Sequence, residues 1–187
     1  MLDSTTIYNS ISIVENDVKL IQDIIDKTVY SYCRDLDRVI EGIYNDIIVQ
    51  EYPPINVIEN YFMELSNELY VMCERVEKLG VFDSISKSKA QETYNSQYLE
   101  HQHSTDGKVG AKKPTVAESQ AVSETAALYD KTINDMYNRA YKIVKNKVSA
   151  AETMVSTLSK ILSHRIQESQ LTTMQTGRKI LNEEAVF

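Results

Sequence analysis

The fold turns on residues 115–176, Thr115-VAESQAVSETAALYDKTINDMYNRAYKIVKNKVSAAETMVSTLSKILSHRIQESQLTTMQ-Thr176, a run of 62 residues with neither proline nor glycine. Pro114 precedes it and Gly177 follows it, so the two strongest helix breakers bracket the run. Its opening, Thr115-Val-Ala-Glu118, has the form of a capping box, in which the threonine hydroxyl and the glutamate carboxylate each satisfy a backbone N–H at the helix start. An unbroken helix of this size would be roughly 93 Å long at 1.5 Å per residue. A compact domain of this chain length is only about 40 Å across. The helix therefore either breaks or projects and finds partners.

Working outward, residues 12–50 repeat apolar positions at Val18, Ile21, Ile25, Val29, Tyr32, Leu36, Val39, Ile43 and Ile47, spacings of three and four that define one helix face. Gly42 interrupts the pattern and marks a close helix contact. Glu51-Tyr-Pro-Pro54 ends this helix, because proline restricts its predecessor and lacks a donor. A second helix follows with a heptad seam at Ile58, Phe62, Leu65, Leu69, Met72, Val76 and Leu79, and Gly80 is placed as its C-cap. The short connection implies an antiparallel hairpin, with Cys33 and Cys73 in its shared core. Asp83 or Ser84 would cap a weaker third helix to about Glu100, and residues 101–114 read as a basic loop.

Within the long run, one stripe follows Ala126, Tyr129, Ile133, Met136, Ala140 and Ile143, and a second follows Val144, Val148, Ala151, Val155, Leu158, Leu162 and Ile166. The change of phase resembles a coiled-coil stutter and makes residues 146–149 the expected place for a break. The fold class is thus all-α: an antiparallel helical hairpin plus a long C-terminal helix making coiled-coil-like contacts. The expected divisions are an acidic hairpin over 1–82, a short helix and basic loop over 83–114, the long helical region over 115–176 and a loose tail over 177–187.

Composition narrows the function. The net charge of −7 is unevenly divided: residues 1–100 hold 8 basic and 18 acidic side chains, whereas residues 101–187 hold 12 and 9. The acidic part repels polyanions and the basic part can approach one. No basic-then-apolar leader and no long apolar run appears, so neither export nor a membrane span is expected, and a cytoplasmic location fits. No phosphate-binding loop, metal-ligand spacing or nucleophile–base arrangement is present, and we expect no enzyme, cofactor or metal. His101-Gln-His103 lacks further ligands and belongs to the loop.

A basic, tyrosine-bearing set remains. Lys87 and Lys89 precede Tyr94 and Tyr98; Lys108, Lys112 and Lys113 lie in the loop; Arg139, Lys142 and Lys145 continue at three-residue spacing and, with Lys147, lie close to Tyr137 and Tyr141. Such residues can neutralise phosphates and stack on unpaired bases, which suits single-stranded DNA read without sequence preference. Tyrosines serving as core residues and lysines solubilising helix faces explain the same pattern.

Ser86-Lys87-Ser-Lys89, the stretch Tyr94-Asn-Ser-Gln-Tyr98, the glycine-containing Asp106-Gly-Lys, and the helical region from Thr115-Val-Ala-Glu118 through Leu158-Ser-Lys-Ile-Leu-Ser-His-Arg165 together resemble the UvsY-type recombination mediators of tailed bacteriophages, over roughly residues 84–175. The resemblance implies a homo-oligomer that loads a recombinase onto single-stranded DNA coated by a single-strand-binding protein in the cytoplasm of an infected bacterial host, with Lys87 and Lys89 as the matching DNA-binding pair. The acidic N-terminal hairpin departs from that pattern. A structural or scaffolding coiled-coil protein of a phage particle is the alternative expectation.

Overall fold

The structure, a computed structural model, describes the chain over residues 4–104 and 112–184, with side chains described over 17–104 and 112–174. Three long helices follow one another: α1 (Ser4–Ile43), which ends in a π-helical turn (Tyr44–Ile48), α2 (Ile55–His103) and α3 (Val116–Glu184). No strand occurs among the described residues, so the chain is all-α. The helices are shared between two compact units, Met1–Tyr32 with Glu74–Lys145 and Cys33–Cys73 with Asn146–Phe187.

In the second unit, α1 and α2 run antiparallel across the Pro53–Pro54 turn, with Arg38 facing Glu64 at 3.9 Å. The expected hairpin is present, and its seam is buried at Leu36, Val39, Ile43, Ile58, Leu65 and Met72. Gly42 is the expected close contact: a β-carbon there would lie 2.6 Å from the Tyr61 hydroxyl. That hydroxyl donates to Asp46 Oδ2, which holds the Tyr61 phenol above its ordinary pKa because the bond to a carboxylate needs the proton in place. The π turn explains how α1 ends. Val49 N–H reaches back to the Tyr44 carbonyl at 3.1 Å, an i→i+5 bond whose wider winding buries Ile47 and leaves Asp46 outside to meet Tyr61. α3 joins through Lys147, whose Nζ donates to both Asp37 oxygens at 2.6 and 2.7 Å, and through Val148, Ala151 and Leu158. Cys33 is buried, but Cys73 is exposed, because Met72 and not its neighbour occupies the seam.

In the first unit, α2 and α3 pair antiparallel, and α1 lies parallel to α3 with Ile25 and Thr28 beside Met136 and Ala140. Here several expected boundaries disappear. Gly80 does not cap α2, and no separate helix starts at Asp83 or Ser84; α2 continues to His103. Position 80 instead lies beside a ring, since a β-carbon there would stand 3.3 Å from Tyr141. The heptad phase of residues 58–79 carries on as Asp83, Ser86, Ala90, Thr93 and Gln97, all buried or half-buried. Residues 101–103 are therefore helix and not loop; 104 and 112–114 lie outside the helices as expected, and 105–111 with Lys108 lie outside the described residues.

α3 has no break at 146–149 and runs through Gly177 to Glu184, so the expected loose tail is helical over 177–184. The supposed stutter arises from following apolar residues alone. One unbroken heptad line passes through Ala127, Asp130, Asn134, Tyr137, Tyr141, Val144, Val148, Ala151, Val155, Leu158, Leu162 and Arg165, and every member is buried or half-buried. The rival stripe faces outward at Ala126 and at Tyr129, which is 75% exposed, and the line ends on Arg165 with Ile166 outside it.

The capping box forms as read. Thr115 N–H donates to Glu118 Oε2 at 2.7 Å, and Glu118 N–H donates to Thr115 Oγ1 at 3.2 Å. The backbone and hydroxyl bonds from Thr115 hold the Glu118 carboxyl below its ordinary pKa. A depressed carboxyl contributes stability that is complete above the unfolded-state pKa and is lost as pH falls through the folded one. Glu118→Gln should therefore flatten the acid limb of the stability profile, while Thr115→Ala should cost about 1 kcal/mol at neutral pH. Urea unfolding between pH 3 and 7 measures both, and an unchanged acid limb in Glu118→Gln would contradict the box.

Candidate nucleic-acid interface

The described members of the basic set belong to the first unit, except Lys147, which lies in the second and is paired with Asp37. Lys87 points outward from α2 one position past buried Ser86, because the heptad seam takes Ser86 and Ala90 inward. It lines a groove of about 350 Å³ between α2 and α3 together with Tyr94, Gln91, Lys131, Asn134 and Glu124. Lys131 Nζ lies 5.3 Å from the Tyr94 ring centroid, a cation–π arrangement. Tyr94 stacks in turn on Tyr98, with centroids 6.4 Å apart and planes at 16°. The two rings suggested as base-stacking platforms are therefore already stacked on each other.

Lys89 differs from Lys87. Its Nζ is 3.5 Å from Asp130 Oδ1, and Asp130 is a seam residue with only 12% of its side chain exposed. The other Asp130 oxygen accepts from Thr93 Oγ1 at 2.7 Å. Lys89 consequently compensates a half-buried carboxylate, which reduces what it can offer a phosphate.

On α3, Arg139, Lys142 and Lys145 are exposed, as their three-residue spacing implies. Lys145 lies 5.7 Å above the Tyr141 ring, whereas Arg139 and Lys142 form no ion pair among the described residues. Lys112 and Lys113 are exposed just before α3, and Lys112 adds to the field that depresses Glu118. Tyr137 stacks on Phe82 at 5.7 Å and 21°, so it too is engaged within the unit. The geometry joins Lys87 to Lys131 across one groove and aligns Arg139, Lys142 and Lys145 on one helix.

A polar ladder between α2 and α3 went unread in the sequence. The Asn134 side-chain amide donates to the Asp83 carbonyl at 3.0 Å and to Ser86 Oγ at 3.1 Å, and the Asn138 amide donates to both Asp83 carboxylate oxygens at 3.2 Å. Nearer the helix ends, His101 Nδ1 and Ser119 Oγ are 3.0 Å apart, and Gln102 donates to the same hydroxyl at 3.1 Å. The signal was available as a line of small and polar residues at spacings of three and four, Ser119, Ser123, Ala127, Asp130 and Asn134.

Among the described residues no group of three or more His, Cys, Asp or Glu side chains could hold a metal ion. None of the described helices is long and apolar enough to cross a membrane. No protein-family model matches the chain, and no curated protein or solved structure matches it either.

Proposed function

We propose that the chain is a non-catalytic mediator of phage DNA recombination or replication that binds single-stranded DNA and assists recombinase loading. The observation that carries the reading is the outward strip Arg139, Lys142 and Lys145, in which Arg139 and Lys142 make no ion pair among the described residues. Unpaired cations meet a phosphate backbone without first breaking an internal bond. Lys87, Lys112 and Lys113 extend the basic surface, and Lys89 contributes less. The tyrosines support this part of the fold by stacking within it, so backbone charge and not base stacking provides the affinity. The acidic N-terminal half suits a basic protein partner, such as the recombinase or the single-strand-binding protein.

Fluorescence anisotropy of a labelled oligothymidine tests the reading. Binding at low salt should weaken as salt rises. Changing Arg139, Lys142 and Lys145 together to glutamine should reduce the log–log salt slope by about 2, at ~0.7 per phosphate contact on a single strand. Glutamine keeps a good helix former at these exposed positions, so helicity by circular dichroism should be unaltered. Absence of binding at low salt, or a slope equal to that of the parent chain, contradicts the proposal.

A scaffolding role in a phage particle is the second reading. It is favoured by the exposed apolar residues in the first part of α3, where Val122 is 41%, Leu128 62% and Tyr129 75% exposed. Those residues are also available to a homo-oligomer of the mediator. Light scattering with and without single-stranded DNA separates the readings: an oligomer that ignores DNA supports the scaffold, and a monomer under both conditions excludes a homo-oligomer.

A further inference from the structure

Between Tyr44 and Tyr52, where α1 passes through its π turn towards α2, four large apolar side chains face solvent. Tyr44 is 58%, Ile48 44%, Val49 64% and Tyr52 66% exposed. They form one patch. Tyr44 and Ile48 stand about one turn apart, the Val49 N–H is bonded to the Tyr44 carbonyl, and Ile48 and Tyr52 line the same cleft of about 480 Å³ beside α3. Single exposed apolar residues are ordinary, but a contiguous apolar patch marks an interaction site. Two of the four are tyrosines, a residue type concentrated at the centres of protein interfaces.

The surrounding charge identifies what covers the patch. Residues 33–73 carry eight acidic and two basic side chains. Both arginines are spent on neighbouring carboxylates, Arg34 on Asp35 at 3.6 Å and Arg38 on Glu64 at 3.9 Å. Glu41 and Glu51 lie beside the patch in the sequence, are exposed, and form no ion pair among the described residues. Neither α1 nor its π turn has a basic residue in its last turn, so the partial negative charge of the helix C-terminus is uncompensated as well. On the α3 wall of the cleft, Arg165 is held by Glu168 at 2.7 Å, which leaves Lys160 to offset part of the acidic charge. This excess of carboxylates repels a nucleic acid and an anionic membrane surface alike. It attracts a polypeptide in which lysine or arginine accompanies apolar anchors.

We propose that the 44–52 turn docks a basic, apolar segment of another protein, with Tyr44, Ile48, Val49 and Tyr52 receiving its apolar side chains and Glu41 and Glu51 its cations. The site gives residues to the basic-partner part of the function proposed above. It belongs to the second unit, whereas the DNA-contacting residues belong to the first, so loss of docking and loss of DNA binding are separate results.

The test titrates the nitrogen-15-labelled full chain with three synthetic peptides of one length: a leucine–lysine heptad repeat, the same repeat with serine for leucine, and the same repeat with glutamate for lysine. The leucine–lysine peptide should give saturable amide shifts centred on residues 44–52, and the other two should bind at least roughly tenfold more weakly. Tyr44→Ser with Val49→Ser, both at exposed positions that leave the fold intact, should weaken the leucine–lysine peptide by a similar factor. Glu41→Lys with Glu51→Lys should weaken it too and strengthen the leucine–glutamate peptide, a reversal that an unspecific apolar surface does not give. Shifts that spread equally to the acidic residues Asp23 and Asp26 of α1, or binding that ignores either pair of substitutions, overturns the assignment. So does light scattering in which Tyr44→Ser with Val49→Ser lowers the mass of the chain alone, since a second copy then covers the patch.

Discussion

Replacing Leu158 with alanine should lower the unfolding free energy by about 2–5 kcal/mol, whereas Ile166→Ala should change it by only about 0.5 kcal/mol. Leu158 is completely buried on the α3 seam of the second unit, and Ile166 is 37% exposed beside it. Truncating Leu158 removes buried methyl groups and leaves a cavity whose lining relaxes only in part. Truncating Ile166 removes contacts that water already shares. The apolar pattern alone ranks the two together, as Leu158, Leu162 and Ile166. The unbroken heptad line separates them, because its next member after Leu162 is Arg165.

Urea unfolding followed by far-ultraviolet circular dichroism measures both variants. Equal losses would contradict the seam assigned to α3. A loss in Ile166→Ala that grows with protein concentration would have a different meaning. It would place Ile166 in a contact between chains, since the stability of an associating protein depends on its concentration. The same pair of variants thus tests the intramolecular seam and the homo-oligomer together.

The parts of this fold written in apolar residues and in punctuation were legible. Pro53–Pro54 divides α1 from α2, Pro114 precedes α3, and Thr115 with Glu118 forms the cap its spacing implies. Ile58, Leu65, Met72 and Leu79 are buried in the phase their spacing requires. Legibility ended where polar residues took over the same phase. Asp83 and Ser86 continue α2 past Gly80, and Asp130 and Asn134 continue α3, but none of these residues looks like core until its partner on the other helix is known. Asn134 reaches Asp83 across 51 residues of sequence, which local periodicity cannot reveal. Gly80 has the same explanation: a glycine after an apolar run resembles a C-cap, and only the Tyr141 ring shows it to be a close packing position. For the candidate interface, exposure of Lys87, Arg139, Lys142 and Lys145 followed from helical spacing. The pairing of Lys89 with Asp130 and the stacking of Tyr94 on Tyr98 did not, because the first is a contact across helices and the second is a choice of rotamer.

Removing the Asp83 carboxylate should cost about 1–3 kcal/mol, because Asp83→Ala leaves the side-chain amides of Asn134 and Asn138 without the acceptor they share. The half-buried position of all three residues lets water recover part of the loss, so a value in the lower half of that range is expected. A double-variant cycle with Asn138→Ala isolates the pairwise term, and residues in one hydrogen-bond network couple by about 0.5–3 kcal/mol. Additive losses would mean that the contact contributes nothing beyond its separate parts. Leu79 and Val144 are fully buried at one end of the first unit's seam, but towards its other end the seam is built from small residues, Ala90, Ala127, Ser119 and Ser123, which bury little apolar surface and specify alignment weakly. Such small side chains distinguish one alignment from another weakly, so this part of the seam does little to stop α2 and α3 from sliding. Asp83 facing Asn134 and Asn138 is not interchangeable with its neighbours, since any slip leaves three polar side chains without partners. A single polar position on a heptad seam sets register in this way at some expense of stability. Changing Asp83, Asn134 and Asn138 together to leucine should therefore keep or raise the melting temperature while broadening the amide spectrum of the first unit into more than one set of signals. A single sharp set in that variant would show that packing alone fixes the alignment.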